Sequence, residues 1–334
     1  MGKKILTSRF AQERHYLKDV IPINTPYEVG FYIGDVCNLK CHYCVHSLKG
    51  ENYRKLPLTR QMMEYALFKK CADCLTLFPK KIQVVQIASL GEPLLHPNLP
   101  DFIKYLKQVG CVNSIKIVTN GIALNKNLID KIIDAGLDRI EISIQGYNSE
   151  MYFRNCGRNI DFEDFYENLQ YLYDNRNDLK IYMQTLDTCI PNEGEKEKFL
   201  DTFSDVCDYI NIASAMPVDD EVDYSAYFNV EERRNKNWTD VCPQAFYELF
   251  ILSDGTVVPC CHSLRGRKLA IGNIKDENLV QIWNGKKRKA LLRQFLREGR
   301  KEMEACRTCI SPNCANREYD CIDQYREFLL KKID

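Results

Sequence analysis

Three closely spaced cysteines constrain this chain more than any other feature. Cys37, Cys41 and Cys44 have the spacing C-x3-C-x2-C and follow an alternating apolar run at 29–33, which indicates a strand leading into a loop. A tight loop with three thiolates can hold three corners of a [4Fe–4S] cluster, and such clusters normally have four cysteine ligands. The missing ligand would leave one iron open for chemistry. A zinc knuckle is the alternative, but zinc sites of that kind use a second ligand pair, and none follows nearby.

The cysteine loop, with Tyr43 directly before its last cysteine, resembles the signature of the radical S-adenosylmethionine (SAM) superfamily. The resemblance implies that SAM chelates the open iron through its amino and carboxylate groups. It also implies that the cluster gives one electron, which cleaves SAM to methionine and a 5′-deoxyadenosyl radical. That radical takes a hydrogen atom from the substrate.

Composition narrows the class of protein. The chain has 334 residues and 45% are apolar, so we expect a packed core and about two domains. Lys plus Arg and Asp plus Glu both number 46, and this zero net charge offers no field for nucleic acid or an anionic membrane. No apolar run approaches the ~20 residues of a membrane span, and the first ten residues lack the apolar part of a secretory signal. The many cysteines favour metal binding in a reducing compartment, so we expect a cytoplasmic protein from a niche with little oxygen.

Strand and helix patterns alternate up to residue 215. The predicted strands are 29–36, 82–88, 114–118, 139–144, 180–185 and 209–213. The predicted helices between them are about 58–78, 99–109, 125–135, 161–175 and 195–205. Such alternation predicts parallel βαβ units and an α/β fold. Six units agree with the partial (β/α)6 TIM-like barrel that the resemblance implies.

The pattern divides the chain into four predicted parts. They are an N-terminal extension (1–28), the radical SAM partial barrel (29–215), a polar, irregular linker (216–240) and a small cysteine-rich domain (241–334). The last part is predicted to carry two amphipathic helices near 278–298 and 316–331.

The ends of the barrel strands carry the predicted SAM contacts, because function gathers at the carboxyl ends of such strands. Gly91 and Glu92 follow the second strand and resemble the family's Gly-Gly-Glu segment, in which Leu90 replaces the first glycine. The glycine permits close backbone approach, and the acid is implied to hold the SAM amino group. Asn120 follows the third strand and also resembles a family position.

Further SAM contacts are implied around the fourth strand. Ser143 would reach the SAM ribose or carboxylate, and Gln145 stands where the family often has Asp. Either Arg154 or Arg158 would face the SAM carboxylate, since arginine suits bidentate pairing. Tyr43 would pack against adenine.

A second group of cysteines resembles the SPASM/Twitch auxiliary-cluster domain. The resemblance rests on a predicted hairpin at 252–257 with an Asp-Gly turn. It also rests on the segments Gly272-Asn273-Ile274 and Ile282-Trp283-Asn284. The resemblance implies one auxiliary [4Fe–4S] cluster held by Cys242, Cys260, Cys306 and Cys309. A competing arrangement groups Cys306 and Cys309 with Cys314 and Cys321, as a possible second auxiliary cluster.

Three functions compete at this point. The first is oxidation of a small sugar-like or cyclitol alcohol, because the cysteine spacing resembles that of one-auxiliary-cluster radical SAM dehydrogenases. The second is a peptide-modifying maturase or an epimerase, with Cys261, Cys189 or Cys156 returning a hydrogen atom. The short stretch before Cys37 leaves no room for a peptide-recognition domain, so the maturase is the less favoured hypothesis. The third is a non-catalytic electron carrier, against which Gly91 and Glu92 argue.

The partners implied are a small-molecule or peptide substrate and a one-electron donor such as flavodoxin or ferredoxin, with no nucleic acid and no membrane.

Overall fold

Nine strands form one mixed sheet. The computed structural model describes residues 15–88, 90–217, 219–314 and 317–333. Its strands are β1 (Glu28–Tyr32), β2 (Ile82–Ala88), β3 (Val112–Thr119), β4 (Arg139–Ser143), β5 (Lys180–Leu186), β6 (Tyr209–Ala213), β7 (Glu248–Ile251), β8 (Thr256–Val258) and β9 (Gly272–Asn273). Their order across the sheet is β6-β5-β4-β3-β2-β1-β7-β8-β9.

The first seven strands run parallel, while β8 and β9 pair antiparallel at one edge. All six predicted core strands are present, and the sheet stays open, so the α/β partial barrel is confirmed. The first strand is shorter than predicted. It ends at Tyr32 because the carbonyl of Ile33 accepts from Met63 N at 2.8 Å instead of continuing the ladder.

One face of the parallel sheet is apolar and buried. Residues two apart share a face, and on this face Phe31 packs against Phe68 with ring centroids 4.7 Å apart. Phe68 in turn stacks on Phe102 at 4.0 Å, so two neighbouring helices, which contain these two residues, cover this face. The residues of this outer face are fully buried or nearly so, and they include Val29, Phe31, Val85, Ile87, Ile115, Ile117, Ile140, Ile142, Ile181 and Met183.

The opposite, inner face is polar and half-exposed. Its side chains include Gln86, Lys116, Arg139, Glu141, Tyr182, Gln184, Tyr209 and Asn211. Lys116 on β3 forms an ion pair with Glu28 on β1 at 3.2 Å across the intervening β2. Parallel sheets are normally covered on both faces. Along β4, β5 and β6 this face instead lines a small cavity that is partly open to solvent.

The helices of the described ranges are mostly short. They are α1 (Leu17–Val20), α2 (Gly50–Lys55), α3 (Tyr65–Leu75), α4 (Leu99–Val109), α5 (Lys126–Asp134), α6 (Ser149–Cys156), α7 (Phe162–Asn175), α8 (Glu193–Phe203), α9 (Val230–Asn235), α10 (Gln244–Tyr247), α11 (Ser263–Arg267), α12 (Leu279–Trp283), α13 (Lys286–Glu298), α14 (Arg317–Asp320) and α15 (Arg326–Ile333). Single 3-10 turns occur at Val45–Ser47, Pro93–Leu95, Ser204–Val206, Arg300–Glu302, Ser311–Cys314 and Asp323–Tyr325. None of the helices in the ranges described has the length and apolarity needed to cross a membrane.

Short polar side chains start the helices that follow the strands. Asn125, Asn148, Asp161 and Asn192 each accept a backbone N–H from the first turn of α5, α6, α7 and α8. Such caps satisfy donors that a helix leaves unpaired. They explain why the chain turns back onto the sheet at these points.

Four stretches differ from their predictions. The helix predicted at 58–78 spans only Tyr65–Leu75, and the described part of the helix predicted at 316–331 is divided into α14 and α15 by the 3-10 turn at Asp323–Tyr325.

The helix predicted at 278–298 is broken into α12 and α13 at Gly285, where a Cβ would lie 2.8 Å from the Gln281 carbonyl oxygen. The stretch at 216–240 contains α9 and buries Val222 and Tyr224, which are 5% and 3% exposed. These two side chains pack with Val45 next to the cysteine loop, so this polar stretch covers part of the site.

We predict that the two faces respond differently to truncation. Ile142→Ala should lower the free energy of unfolding by about 2–5 kcal/mol, since it opens a cavity in the buried outer face. Gln184→Ala on the inner face should cost less than about 1 kcal/mol, because its side chain is half-exposed. Urea unfolding of the reconstituted proteins measures both, and equal losses would contradict the assignment of the faces.

Candidate functional site

The cysteine loop follows the carboxyl end of β1 and is tied to the end of α6. Lys40 N donates to the Cys156 carbonyl at 3.1 Å, and His42 N donates to the Asn155 carbonyl at 2.9 Å. The His42 ring stacks on Tyr227 with centroids 4.2 Å apart. The loop is therefore shaped by contacts within the protein.

The thiols of the loop fit a metal cluster. Burial raises the pKa of the Cys37 thiol to about 11 and the pKa of Cys44 above its ordinary value. A contact with the Cys156 thiol, together with burial, raises the pKa of Cys41. Buried thiols stay protonated unless positive charge favours the thiolate, and bound iron supplies such charge. Leu39 N also donates to Cys37 Sγ at 3.4 Å, which suits a thiolate.

Gly91 allows the segment after β2 to touch the cysteine loop. A Cβ at this position would lie 2.0 Å from the carbonyl oxygen of Val36, so a side chain does not fit. Glu92 N donates to that same oxygen at 2.8 Å. The close backbone approach that the sequence predicts here is thus an approach to Val36.

The Glu92 carboxylate lies beyond the carboxyl end of β2 and is 4% exposed. It accepts from Leu94 N at 2.9 Å, from Asn120 N at 2.7 Å and from the Thr119 hydroxyl. Burial raises its pKa to about 7, although these hydrogen bonds favour the charged form. Glu92 therefore joins the ends of β2 and β3, and its contact with SAM stays a prediction.

Asn120 lies directly against the cysteine loop. Its Nδ2 donates to Asn38 Oδ1 at 2.8 Å and lies 3.9 Å from Cys37 Sγ. Its Oδ1 accepts from Ile122 N at 3.0 Å, which fixes the orientation of the amide. The structure thus brings Asn120 and Cys37 together.

Three further predicted SAM contacts form one chain of hydrogen bonds. Tyr43 OH donates to Gln145 Oε1 at 2.8 Å, and Gln145 Nε2 donates to the Ser143 carbonyl at 3.1 Å. Gln145 is 2% exposed. A neutral amide suits this place, because it both accepts and donates.

The two arginines lie in different surroundings. Arg154 contacts Glu195 Oε1 at 3.0 Å and the Cys189 carbonyl at 2.9 Å, and half of its side chain is exposed. Arg158 is exposed just beyond the end of α6. Of the two, Arg154 is the one whose guanidinium is held by the protein.

Asn155 is a site residue that no sequence pattern revealed. It is 3% exposed, and its Nδ2 donates to the carbonyls of Gln145 at 2.6 Å and Cys189 at 3.0 Å. Its own carbonyl holds the cysteine loop through His42. A buried asparagine in a helix could have been noticed, but its partners lie on other elements.

Four cysteines of the C-terminal part line a single cavity, together with Arg265 and Arg300. These are the predicted auxiliary ligands, called the auxiliary cysteines below: Cys242, Cys260, Cys306 and Cys309. Burial raises the pKa of all four thiols, to about 12 for Cys306. As in the first loop, these buried thiols become thiolates only if positive charge lies beside the sulfurs. Bound iron supplies that charge, so the four cysteines fit a cluster with four thiolates.

The other cysteines near this cavity are placed differently. Cys261 Sγ lies 3.7 Å from Gln244 Nε2 and 3.8 Å from Ser311 Oγ, and neither Cys261 nor Cys321 is among the described residues that line the cavity. The side chain of Cys314 lies outside the described part of the chain. Among the described residues, no three His, Cys, Asp or Glu side chains converge as they would on one metal ion. A cluster does not require this, because each thiolate binds its own iron.

Comparison with known families identifies the class. The model of the radical SAM superfamily matches residues 31–205. An iron–sulfur cluster-binding domain of the SPASM type matches residues 242–310. The chain belongs to the radical SAM superfamily. It is an enzyme of the kind that uses SAM and a [4Fe–4S] cluster, with auxiliary iron–sulfur binding in its C-terminal domain.

Individual proteins resemble parts of the chain. A probable GTP 3′,8-cyclase of Methanococcus maripaludis is 36% identical over 126 residues, which cover 37% of this chain and 39% of that protein. The alignments thus span about two fifths of the length of the curated relatives.

Solved structures share the fold more widely. The structure of BtrN in complex with AdoMet and 2-DOIA matches with a TM-score of 0.55 at 18% identity, covering 90% of this chain and 97% of that one. Streptococcus suis SuiB bound to precursor peptide SuiA matches with a TM-score of 0.61 at 15% identity, covering 88% and 71%. Identities this low show the fold alone.

We predict that Gly91→Ala disrupts the first cluster. The new Cβ meets the Val36 backbone, so the cysteine loop must shift, and we expect iron content to fall by up to about four per chain, one cubane. Gly194→Ala is the matched control, because its nearest contact would be at 3.6 Å. Iron analysis after anaerobic reconstitution measures the effect, and full iron loading of Gly91→Ala would contradict the role of the close contact.

We also predict which cysteines hold auxiliary iron. Cys242→Ala should lower the iron content from about eight to about four per chain, while Cys321→Ala should retain about eight. Iron and sulfide analysis with electron paramagnetic resonance (EPR) measures this. A wild-type content near twelve that falls in Cys321→Ala would support a second auxiliary cluster instead.

Proposed function

We propose that this enzyme oxidises a small sugar-like or cyclitol alcohol to a ketone. The observation that carries the proposal is the polar inner face of the sheet, whose side chains on β4, β5 and β6 line one cavity. A ring with several hydroxyl groups needs closely spaced donors and acceptors, and this face supplies them.

The inner face of β4, β5 and β6 presents a row of suitable side chains. Tyr182 and Tyr209 stack at 4.4 Å, and the guanidinium of Arg139 lies 3.8 Å from the Tyr182 ring. Two residues further along the same face of β5 and β6, Asn211 Nδ2 donates to Gln184 Oε1 at 3.4 Å. Aromatic faces pack on the apolar side of a sugar ring, and amides bind its hydroxyl groups.

We propose Glu141 as the group that takes the hydroxyl proton. It pairs in register with Tyr182 on β5 and forms an ion pair with Arg139, so its carboxylate lies within the same row. The other paired carboxylate of this face, Glu28, begins β1 at the amino end of the sheet. Glu141 is the central residue of β4 and so lies nearer than Glu28 to the carboxyl ends of the strands, where chemistry in barrels of this kind takes place.

We propose that Cys37, Cys41 and Cys44 hold the SAM-binding cluster and that the auxiliary cysteines hold one further cluster. When bound, these groups let the substrate carbon lose a hydrogen atom to a 5′-deoxyadenosyl radical and an electron to auxiliary iron. Near the carboxyl ends of β1 to β4, a set of residues would position SAM: Tyr43, Gly91, Asn120, Ser143 and Gln145. Glu92 and Arg154 would act with this set, with Arg158 outside it.

An epimerase or a peptide-modifying enzyme is the second candidate. It would use Cys261 to return a hydrogen atom, and this cysteine does lie beside Tyr32 at the edge of the inner face. However, the polar contacts of its sulfur are with Gln244 and Ser311 of the C-terminal part. That orientation favours dehydrogenation, in which no thiol donor is needed.

A one-electron donor of the flavodoxin or ferredoxin kind would supply the first cluster. We place the enzyme in the cytoplasm of a cell that lives with little oxygen, because clusters with an open iron oxidise readily.

Deuterium transfer tests the proposal. The reduced, reconstituted enzyme is incubated with SAM and cyclitols, amino-cyclitols or hexoses that carry deuterium on their carbinol carbons. We expect deuterium in 5′-deoxyadenosine and one equivalent of ketone. Glu141→Gln should slow ketone formation by at least about 100-fold, as expected for loss of a general base.

Glu163→Gln is the matched control, because Glu163 is exposed on the first turn of α7. Deuterium transfer from a peptide and none from the polyols would overturn the dehydrogenase. Transfer with inversion at carbon and no ketone, abolished in Cys261→Ala, would establish an epimerase.

A further inference from the structure

Arg300 is a buried guanidinium in the wall of the auxiliary cavity. It is 0% exposed and lines the cavity together with the auxiliary cysteines. Its Nη2 donates to Asn313 Oδ1 at 2.6 Å, while Nε and Nη1 donate to the carbonyls of Thr239 and Cys309. Its charged carbon lies 3.6 Å from the Trp238 ring. All these acceptors are neutral.

The charge of Arg300 has no carboxylate partner at ion-pair distance in the ranges that the structure describes. Asp323 acts on it only as a weak, more distant charge. A buried charge without a counter-charge is costly. Cys242, Cys306 and Cys309 line the same cavity, so thiolates bound to iron there would supply the missing negative charge.

Two other arginines provide a comparison with Arg300, because each shares only part of its surroundings. Arg288 is 6% exposed and also donates to three carbonyls and covers a tryptophan ring, Trp283, at 3.3 Å. It is not among the described residues that line the auxiliary cavity, and burial alone lowers its pKa, to about 9. Arg265 lines the auxiliary cavity but pairs with Asp220 at 3.2 Å.

We propose that Arg300 is the counter-charge of the auxiliary cluster and raises its reduction potential. A [4Fe–4S] group with four thiolates is anionic, and it becomes more so when it accepts an electron. A fixed positive charge beside it in a buried cavity therefore favours the reduced state. In this proposal Arg300 acts through the auxiliary cluster and is assigned no contact with substrate or SAM.

The proposal rests on the proposed function, and it explains one step of it. An alcohol loses two electrons on the way to a ketone. One leaves with the hydrogen atom that the 5′-deoxyadenosyl radical takes, the proton goes to Glu141, and the second electron reduces the auxiliary cluster. A raised potential makes that last transfer more favourable.

The test is an EPR redox titration of the auxiliary cluster in the reconstituted enzyme, without substrate. Cys37, Cys41 and Cys44 are replaced by alanine in every sample, so that only auxiliary iron is observed. We expect Arg300→Met to lower the reduction potential and Arg300→Lys to keep it near that of the parent. Arg288→Met, the matched control, should lower stability and leave the potential unchanged.

An unchanged potential in iron-loaded Arg300→Met would overturn the proposal. If Arg300→Met does not load iron, loading of Arg300→Lys supports a requirement for charge. Failure of both, with normal loading of Arg288→Met, shows that Arg300 acts through its hydrogen bonds and also overturns the proposal. Absence of auxiliary iron from the parent itself would instead refute the four-cysteine assignment, and failure with every alcohol would refute only the substrate.

Discussion

The arrangement of the site depends on the hydrogen bonds made by Glu92, whose carboxylate is buried. Through its backbone N–H it holds Val36 beside the first cysteine, and through its side chain it holds Thr119 and Asn120 at the end of β3. Three neighbouring strand ends are thus joined at one residue. Because hydrogen bonds to a carboxylate are stronger than those to a neutral acceptor, this residue holds the segments after β1, β2 and β3 together.

The sequence was most informative where chemistry demands a residue type at a fixed local spacing. The loop at Cys37 and the alternation of β4, from Arg139 to Ser143, each lie within a few residues, so the strands were predictable and the three loop cysteines could be singled out as candidate ligands. The strand pattern told which side chains share a face. It did not tell that the face bearing Tyr182 is left uncovered, because coverage depends on where distant segments pack.

Long-range partners account for the rest of what the sequence could not give. Arg154 was expected near SAM, but its binding to Glu195 joins two helices that no local pattern relates. Arg300 reads as an ordinary surface residue next to Gly299, and its burial follows from neighbours such as Trp238 and Asn313. The stretch around Tyr224 looked like a linker because its composition is polar, yet two apolar side chains were enough to dock it beside Val45.

The place of β1 in the sheet affects how the chain can be made. This strand has β2 on one side and β7 on the other, and Glu28 pairs both with Val84 and with Glu248. The second pairing closes a very long loop, which is slow to form. Until β7 has been synthesised, β1 remains an unprotected edge able to pair with another chain. The first cysteine loop therefore exists for much of translation beside a strand that is still prone to aggregate.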